Sequence, residues 1–243
     1  MHYKMKQIVF FLALLPLALF GQSADSSSLK RFAIGLNYSP DYSYRTLKPT
    51  AESKWIADSR DTLEIPKYGY TSGLSLLFRI SKNLTFETGL QYSNKGEKTK
   101  TRKLEIFDPN SPQSSMNTME VTFVYSYNYL DIPIKANYYL INKKFKFFLS
   151  GGLSNNIFIS STNKSTISFA PGNSTTNTTK SSTNYSLVNI AALAGFGIEQ
   201  QLNSKLSLRL EPIYRRSITS IINAPIKGYL YSAGMNFGLY LSL

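Results

Sequence analysis

Eight charged residues sit where most of their neighbours two positions away are also small or polar: Arg79, Glu87, Asp131, Lys135, Glu199, Arg209, Glu211 and Arg215. Paired carboxylates, or a serine beside a lysine, could in principle move protons or attack a carbonyl. Here the signs are mixed, and each acid has bases at hand in the pattern. Glu199 and Glu211 are more simply partners of Arg209 and Arg215. The sequence has no cysteine, and its single histidine is His2, in a stretch expected to be removed. A catalytic imidazole, a thiolate nucleophile, a disulfide and a soft metal site are thereby excluded from the mature chain. The loop acids Asp58, Asp61 and Glu64 alternate with Lys and Arg, a poor set for a hard cation. No cofactor and no metal is expected.

These charges must be held by something, and the pattern around them has a period of two. Around Asp131, Leu130 to Leu140 are mostly apolar at even positions, while Asp131, Lys135 and Asn137 take odd ones. Seven other segments repeat this alternation. Strands are expected over about 31–45, 68–80, 84–95, 121–140, 145–160, 185–200, 205–219 and 228–243. One face carries residues such as Leu74, Leu76, Phe86, Leu208, Phe237 and Leu239. The other carries Gly, Ser and the eight charges. In the fourth segment the apolar phase slips near Asn128, from odd (Val121, Phe123, Tyr125, Tyr127) to even. A β-bulge there would account for it, with Pro133 removing a ladder donor nearby.

Connections alternate short and long, which places all short turns at one end. The expected architecture is all-β: an eight-stranded antiparallel up-and-down transmembrane β-barrel, with short periplasmic turns and long extracellular loops. The alternative is a soluble barrel with its apolar face inside. Three features favour the membrane. Repeated Gly and Ser suit a narrow interior. Opposite charges on neighbouring strands can pair there. Tyrosines gather at the loop ends of strands, namely Tyr42, Tyr44, Tyr68, Tyr70, Tyr92, Tyr125, Tyr229 and Tyr231, as an interfacial girdle would. Closure requires the first strand to pair with the last. The Ser/Thr/Asn-rich stretch 161–184 cannot build a core and is expected to be a mobile exposed loop.

Residues 1–21 read as a cleaved secretory signal, with Lys4 and Lys6 before an apolar core. Residues 22–30 would be a short periplasmic arm and 31–243 the barrel, with no further periplasmic domain. The net charge of +13 invites a nucleic-acid reading, but the bases form no single stripe. Lipid phosphates, including lipopolysaccharide, are the expected partners of clusters such as Lys143, Lys144 and Lys146.

Tyr129-Leu130-Asp131-Ile132-Pro133, followed by Lys135 and Tyr138-Tyr139, resembles a motif of the Bacteroidetes outer-membrane β-barrel family that includes PorT-like proteins. Ser81 to Thr85 leading into Thr88 to Ser93, and Leu210 to Arg215, are similar to it as well. The likeness spans about residues 30–243. Asn137 stands where the family carries a base, and the chain ends on Leu243 rather than an aromatic. The resemblance implies an outer-membrane barrel in a Gram-negative cell and little about activity. The expectation is a non-enzymatic structural or binding protein acting through its extracellular loops. Alternatives are an accessory component of a PorT-like secretion system, or a narrow small-solute pore. Asp61-Thr62-Leu63 also looks like the short O-glycosylation signal of Bacteroidetes.

Overall fold

The computed structural model describes residues 31–106, 117–169 and 172–243; the expected signal and periplasmic arm lie outside them. Ten strands form one antiparallel sheet. Eight close into a ring: β1 (Phe32–Lys48), β2 (Glu64–Arg79), β3 (Leu84–Thr99), β5 (Asn117–Asn142), β6 (Phe145–Phe169), β8 (Val188–Gln201), β9 (Leu206–Ser217) and β10 (Lys227–Ser242). Two short strands, β4 (Arg102–Ile106) and β7 (Asn173–Ser181), lie outside the ring. Closure is made by β1 on β10, from Ala33 opposite Ser242 to Lys48 opposite Lys227. A closed ring leaves no backbone group of the spanning strands facing hydrocarbon unpaired.

Alternation decides what each face meets. Ile34, Leu36, Leu74, Leu76, Phe86, Leu90, Leu149, Leu153, Phe237 and Leu239 point out and are exposed. An apolar band this continuous far exceeds the patches that soluble monomers expose. Lipid is the solvent that suits it. Between these residues, Asn37, Ser75, Glu87, Lys135, Glu199, Arg209 and Asn236 are buried inside. Among the described residues no helix is long and apolar enough to cross a membrane.

The bore is narrow enough for single atoms to matter. Tyr240 points into it and is 1% exposed. Its ring fits because Gly35 and Gly238 stand on either side; a Cβ at either position would collide with it.

Several strands run further outward than the sequence reading placed them, while β8 starts later, at Val188, and β9 ends earlier, at Ser217. β2 begins four residues earlier than expected, β3 ends at Thr99, and β6 runs on to Phe169. The ladders do not stop at the membrane surface, because each strand still has a hydrogen-bonding neighbour above it. The first outer connection holds a helix, α1 (Lys54–Leu63), where a loop was expected. Stretch 161–184 is also corrected. Described residues 161–169 and 173–181 pair as a hairpin, Ser161 opposite Ser181 through Phe169 opposite Asn173. It needs no core, since it continues the β5–β6 ladder and is rich in β-favouring threonine.

A bulge does lie at the level of the phase slip, but on the partner strand; the slip along β5 has another cause, a change of bore filling from aromatic rings (Tyr127, Tyr129) to polar groups (Asp131, Lys135). The register shifts where Asn128 opposes Ser160 and Tyr129 opposes Phe158. The extra residue is therefore Ile159, on β6. β5 keeps one phase, and its odd residues stay inside from Val121 to Tyr139.

Candidate functional site

At the level nearer the short turns, the bore is crossed by an interlocked charge layer. Lys135 lies opposite Glu87 on the neighbouring strand and pairs with it at 3.3 Å. It also reaches Glu211 across the bore at 3.0 Å. Arg209 pairs with Glu87 at 3.1 Å and with Glu199 at 3.1 Å. Lys146 completes the set by pairing with Glu199 at 2.7 Å. Neutral groups take up the remaining lone pairs. Tyr139 Oη donates to Glu199, Asn137 to Glu87, and Ser150 and Asn236 to Glu211. The Arg209 guanidinium lies 4.2 Å from the Phe148 ring centre and 5.0 Å from that of Tyr240. Such charges are tolerable only when paired and hydrogen-bonded throughout.

Above it a second layer joins Asp41 to Arg215 at 2.8 Å and Lys95 to Asp131 at 2.8 Å. Arg215 can reach Asp41 because Gly234 lies between their strands; a Cβ there would strike the carboxylate. A cavity no larger than about a water molecule separates the layers, lined by Gln91, Lys95, Asp131, Lys135, Asn156 and Arg215. Asp131 Oδ1 faces no hydrogen-bond partner among the described residues.

Seven of the eight residues singled out in the sequence are thus joined in ion pairs inside the bore. Arg79 also stands at an inward position, diagonal to Glu87 across the β2–β3 ladder, but is half-buried at the short-turn end and joins neither layer. The expected partners also change. Arg215 takes Asp41 rather than Glu211, and Asp131 pairs with Lys95. Asp41, Lys95, Lys146, Tyr139 and Tyr240 were missed as members. All five stand at inward positions of their strands, which was the signal available.

The outer third of the bore is filled differently. Tyr127, Tyr129, Phe158, Ile221 and Leu230 form a buried apolar cluster, against which Tyr125 and Tyr185 pack. Phe158 stacks on Tyr185 with centroids 4.7 Å apart. Tyr125 therefore belongs to this plug rather than to the outer girdle. Apolar contacts inside the bore outcompete lipid for these rings, because the β5 phase holds them inward.

Over the plug, α1 is tied to the rim. Arg45 pairs with Asp61 at 2.5 Å and with Glu64, and Arg60 pairs with Glu64 at 2.7 Å and Glu97 at 3.6 Å. Tyr127 Oη donates to Glu97 at 2.8 Å. Glu97 stands five residues beyond Tyr92, above the tyrosine belt. Burial, with Glu64 beside it, pushes the Glu97 carboxyl up to about 7. Burial lowers the neighbouring Lys67 ammonium to about 8. Of the glycosylation-like triplet, Thr62 is bonded to Asp58 of α1 and Asp61 is held by Arg45.

The other girdle tyrosines lie on the outer face or rim. Tyr42 packs on Tyr68 (5.2 Å), Tyr70 on Tyr92 (6.0 Å) and Tyr44 on Tyr231 (6.0 Å). Tyr229 receives Lys48 over its ring. Tyr38 and Tyr214 extend the same band.

Beyond the girdle, β5 and β6 continue with β4 on one flank and β7 on the other. The result is a four-stranded sheet in the order β4-β5-β6-β7. Every residue of β7 is exposed.

Closed ring, lipid-suited outer face and charge-filled bore together define an antiparallel transmembrane β-barrel of the outer-membrane type. The outer membrane protein beta-barrel domain family matches residues 20–223, and this chain belongs to that family. No curated protein matches the chain. Among solved structures it is similar to Neisserial surface protein A, at 13% identity over 87% of this chain and 97% of that one, with a TM-score of 0.45. OprG from Pseudomonas aeruginosa is similar at 10% identity, over 88% and 97%, with a TM-score of 0.41. The outer membrane protease OmpT from Escherichia coli is similar at 9% identity, over 91% and 99%, with a TM-score of 0.42.

Proposed function

We propose that this chain is a non-enzymatic outer-membrane binding protein that meets its partner through the sheet it projects beyond the lipid. The carrying observation is the β4-β5-β6-β7 sheet. Its β7 margin offers a full strand edge of unpaired backbone groups, a template for an extended segment. Ser, Thr and Asn side chains along it supply adaptable hydrogen bonds without an apolar patch.

A non-catalytic role fits the chemistry of the bore. Residues 31–243 contain neither His nor Cys. Each of the seven buried acids has a base as partner: Asp41, Glu64, Glu87, Glu97, Asp131, Glu199 and Glu211 pair with Arg215, Arg45, Arg209, Arg60, Lys95, Lys146 and Lys135. Pairing of this kind supports a structural role for these carboxylates over a general-base one. The same filling argues against a pore. Export through a cleaved leader over residues 1–21, and kinship with the Bacteroidetes PorT-like branch carried by the Tyr129 to Pro133 motif, belong to this proposal.

The test joins two measurements. Wild-type protein in planar bilayers should show no sustained conductance steps. A photo-crosslinking residue at Thr176 should capture a partner on whole cells, and one at Leu239 should not. Steady conductance, or equal capture from both positions, would contradict the reading.

A further inference from the structure

The two ends of the barrel are charged differently. Seven acidic and seven basic side chains are buried and balance, so among the described residues the basic excess is carried by side chains that are not buried. Beyond the girdle, exposed bases alternate with acids such as Glu52, Asp58 and Glu120. At the short-turn end the described residues include Arg31, Arg79, Lys82, Lys143, Lys144 and Lys205, and no exposed acid. The nearest carboxylates, Glu199 and Glu87, are buried and held by Lys146, Arg209 and Lys135.

The fold joins these bases into a ring. Arg79 N–H donates to the Arg31 carbonyl, and the Lys82 carbonyl accepts from Asn142, which precedes Lys143. Gln201 N–H donates to the Lys144 carbonyl, and Ser242 N–H to that of Lys205. Leu243 N–H then donates to Phe32, beside Arg31, and closes the circle. Exposed apolar side chains border it: Ile80, Leu140, Ile141, Phe145, Leu202 and Leu243. Cationic tips standing one step beyond a hydrocarbon belt are at the depth of lipid phosphates. Lys146, by contrast, is turned into the bore and takes no part.

We infer that the short-turn rim is a binding surface for anionic phospholipid headgroups of the leaflet it faces. In outer-membrane barrels that leaflet is the periplasmic one. The occupant is a lipid rather than a soluble anion because the bases form a circle bordered by the exposed apolar belt. This surface stands apart from the projecting sheet, at the opposite end of the barrel, so either reading can fail alone.

The full chain, folded into nanodiscs of phosphatidylcholine with a minor fraction of phosphatidylglycerol and then extracted in mild detergent, is examined by native mass spectrometry. Wild type is expected to retain phosphatidylglycerol over phosphatidylcholine, and to lose that preference as salt rises. Lys82→Gln, Lys143→Gln, Lys144→Gln and Lys205→Gln combined should lower it by about tenfold or more. The charge-matched outer set Lys100→Gln, Arg102→Gln, Lys164→Gln and Lys180→Gln should leave it unchanged. Heat-modified gel migration verifies that both variants are folded. No preference in wild type, equal loss in both variants, or equally strong retention of water-soluble glycerophosphoglycerol would overturn the inference.

Discussion

The same eight strands enclose two fillings. Near the short turns the bore holds Lys135, Arg209, Glu87, Glu199 and Glu211 in one ion-pair lattice. Near the outer mouth it holds Tyr127, Tyr129 and Phe158 with Ile221 and Leu230. The first filling obeys the rule that polar side chains face inward in a membrane barrel. The second breaks it at the level of the girdle itself, since Leu230 lies between Tyr229 and Tyr231, and Tyr129 stands next to Leu130, the partner of Tyr92. Apolar rings that fill the bore against one another need neither lipid nor water there. Alternation reports which residues share a face; it does not by itself report what that face is made of.

The largest expected effect separates the two fillings by charge. Arg209→Met leaves Glu87 and Glu199 short of a partner inside the bore, and should cost about 3–5 kcal/mol in denaturant titrations of the folded barrel. Adding Glu87→Gln should recover part of that loss. Full additivity of the two changes would mean that the lattice is not one unit.

Phe158→Ala should cost about 3 kcal/mol by opening a hole in the aromatic plug. Its effect on amide exchange should be confined to the outer ends of β5, β6 and β10. Spread into the charged half would erase the distinction between the regions.

The smallest effect concerns pH. The folded-state value of Glu97, raised to about 7, exceeds its ordinary value, so the folded mouth binds that proton more tightly than the unfolded chain does. Its contribution is full below about 4.5 and is lost as pH rises through 7. The groups facing Glu97 are Glu64, Arg45 and Arg60 beside α1, Lys67 on β2 and Tyr127 on β5. Lys67 acts above this window, since its lowered value near 8 costs stability only below its ordinary range. Exchange protection of α1 amides should therefore weaken between pH 5 and pH 8 by roughly 1–3 kcal/mol. Glu97→Gln should flatten that dependence, while the charged layer should show no such change.

Much of this was legible in the sequence. Period-two alternation placed the eight ring strands and put the chosen charges on the inward face. Pairs directly across a ladder, such as Glu199 with Arg209, follow from register alone. Pairs across the bore do not: Lys135 with Glu211, or Glu87 with Arg209, depend on how the closed ring staggers its strands. Asp41 with Arg215 depends on a missing Cβ at Gly234. The slip near Asn128 was visible, but a sequence cannot tell a bulge from a change in what fills the bore, which is its cause here. The hairpin of β6 and β7 was missed because its composition reads as solvated loop. Its order comes from the neighbouring ladder, not from its own side chains.

The central claim is that the apolar face of the strands meets hydrocarbon and the paired face meets the bore. Adjacent residues of β10 test it most directly, with Leu239 pointing out and Tyr240 pointing in. In a Trp55→Phe background, Leu239→Trp and Tyr240→Trp variants are folded into vesicles carrying brominated acyl chains. The Leu239→Trp emission should be strongly quenched and the Tyr240→Trp emission spared. Equal quenching at both positions, or the reverse order, would contradict the account.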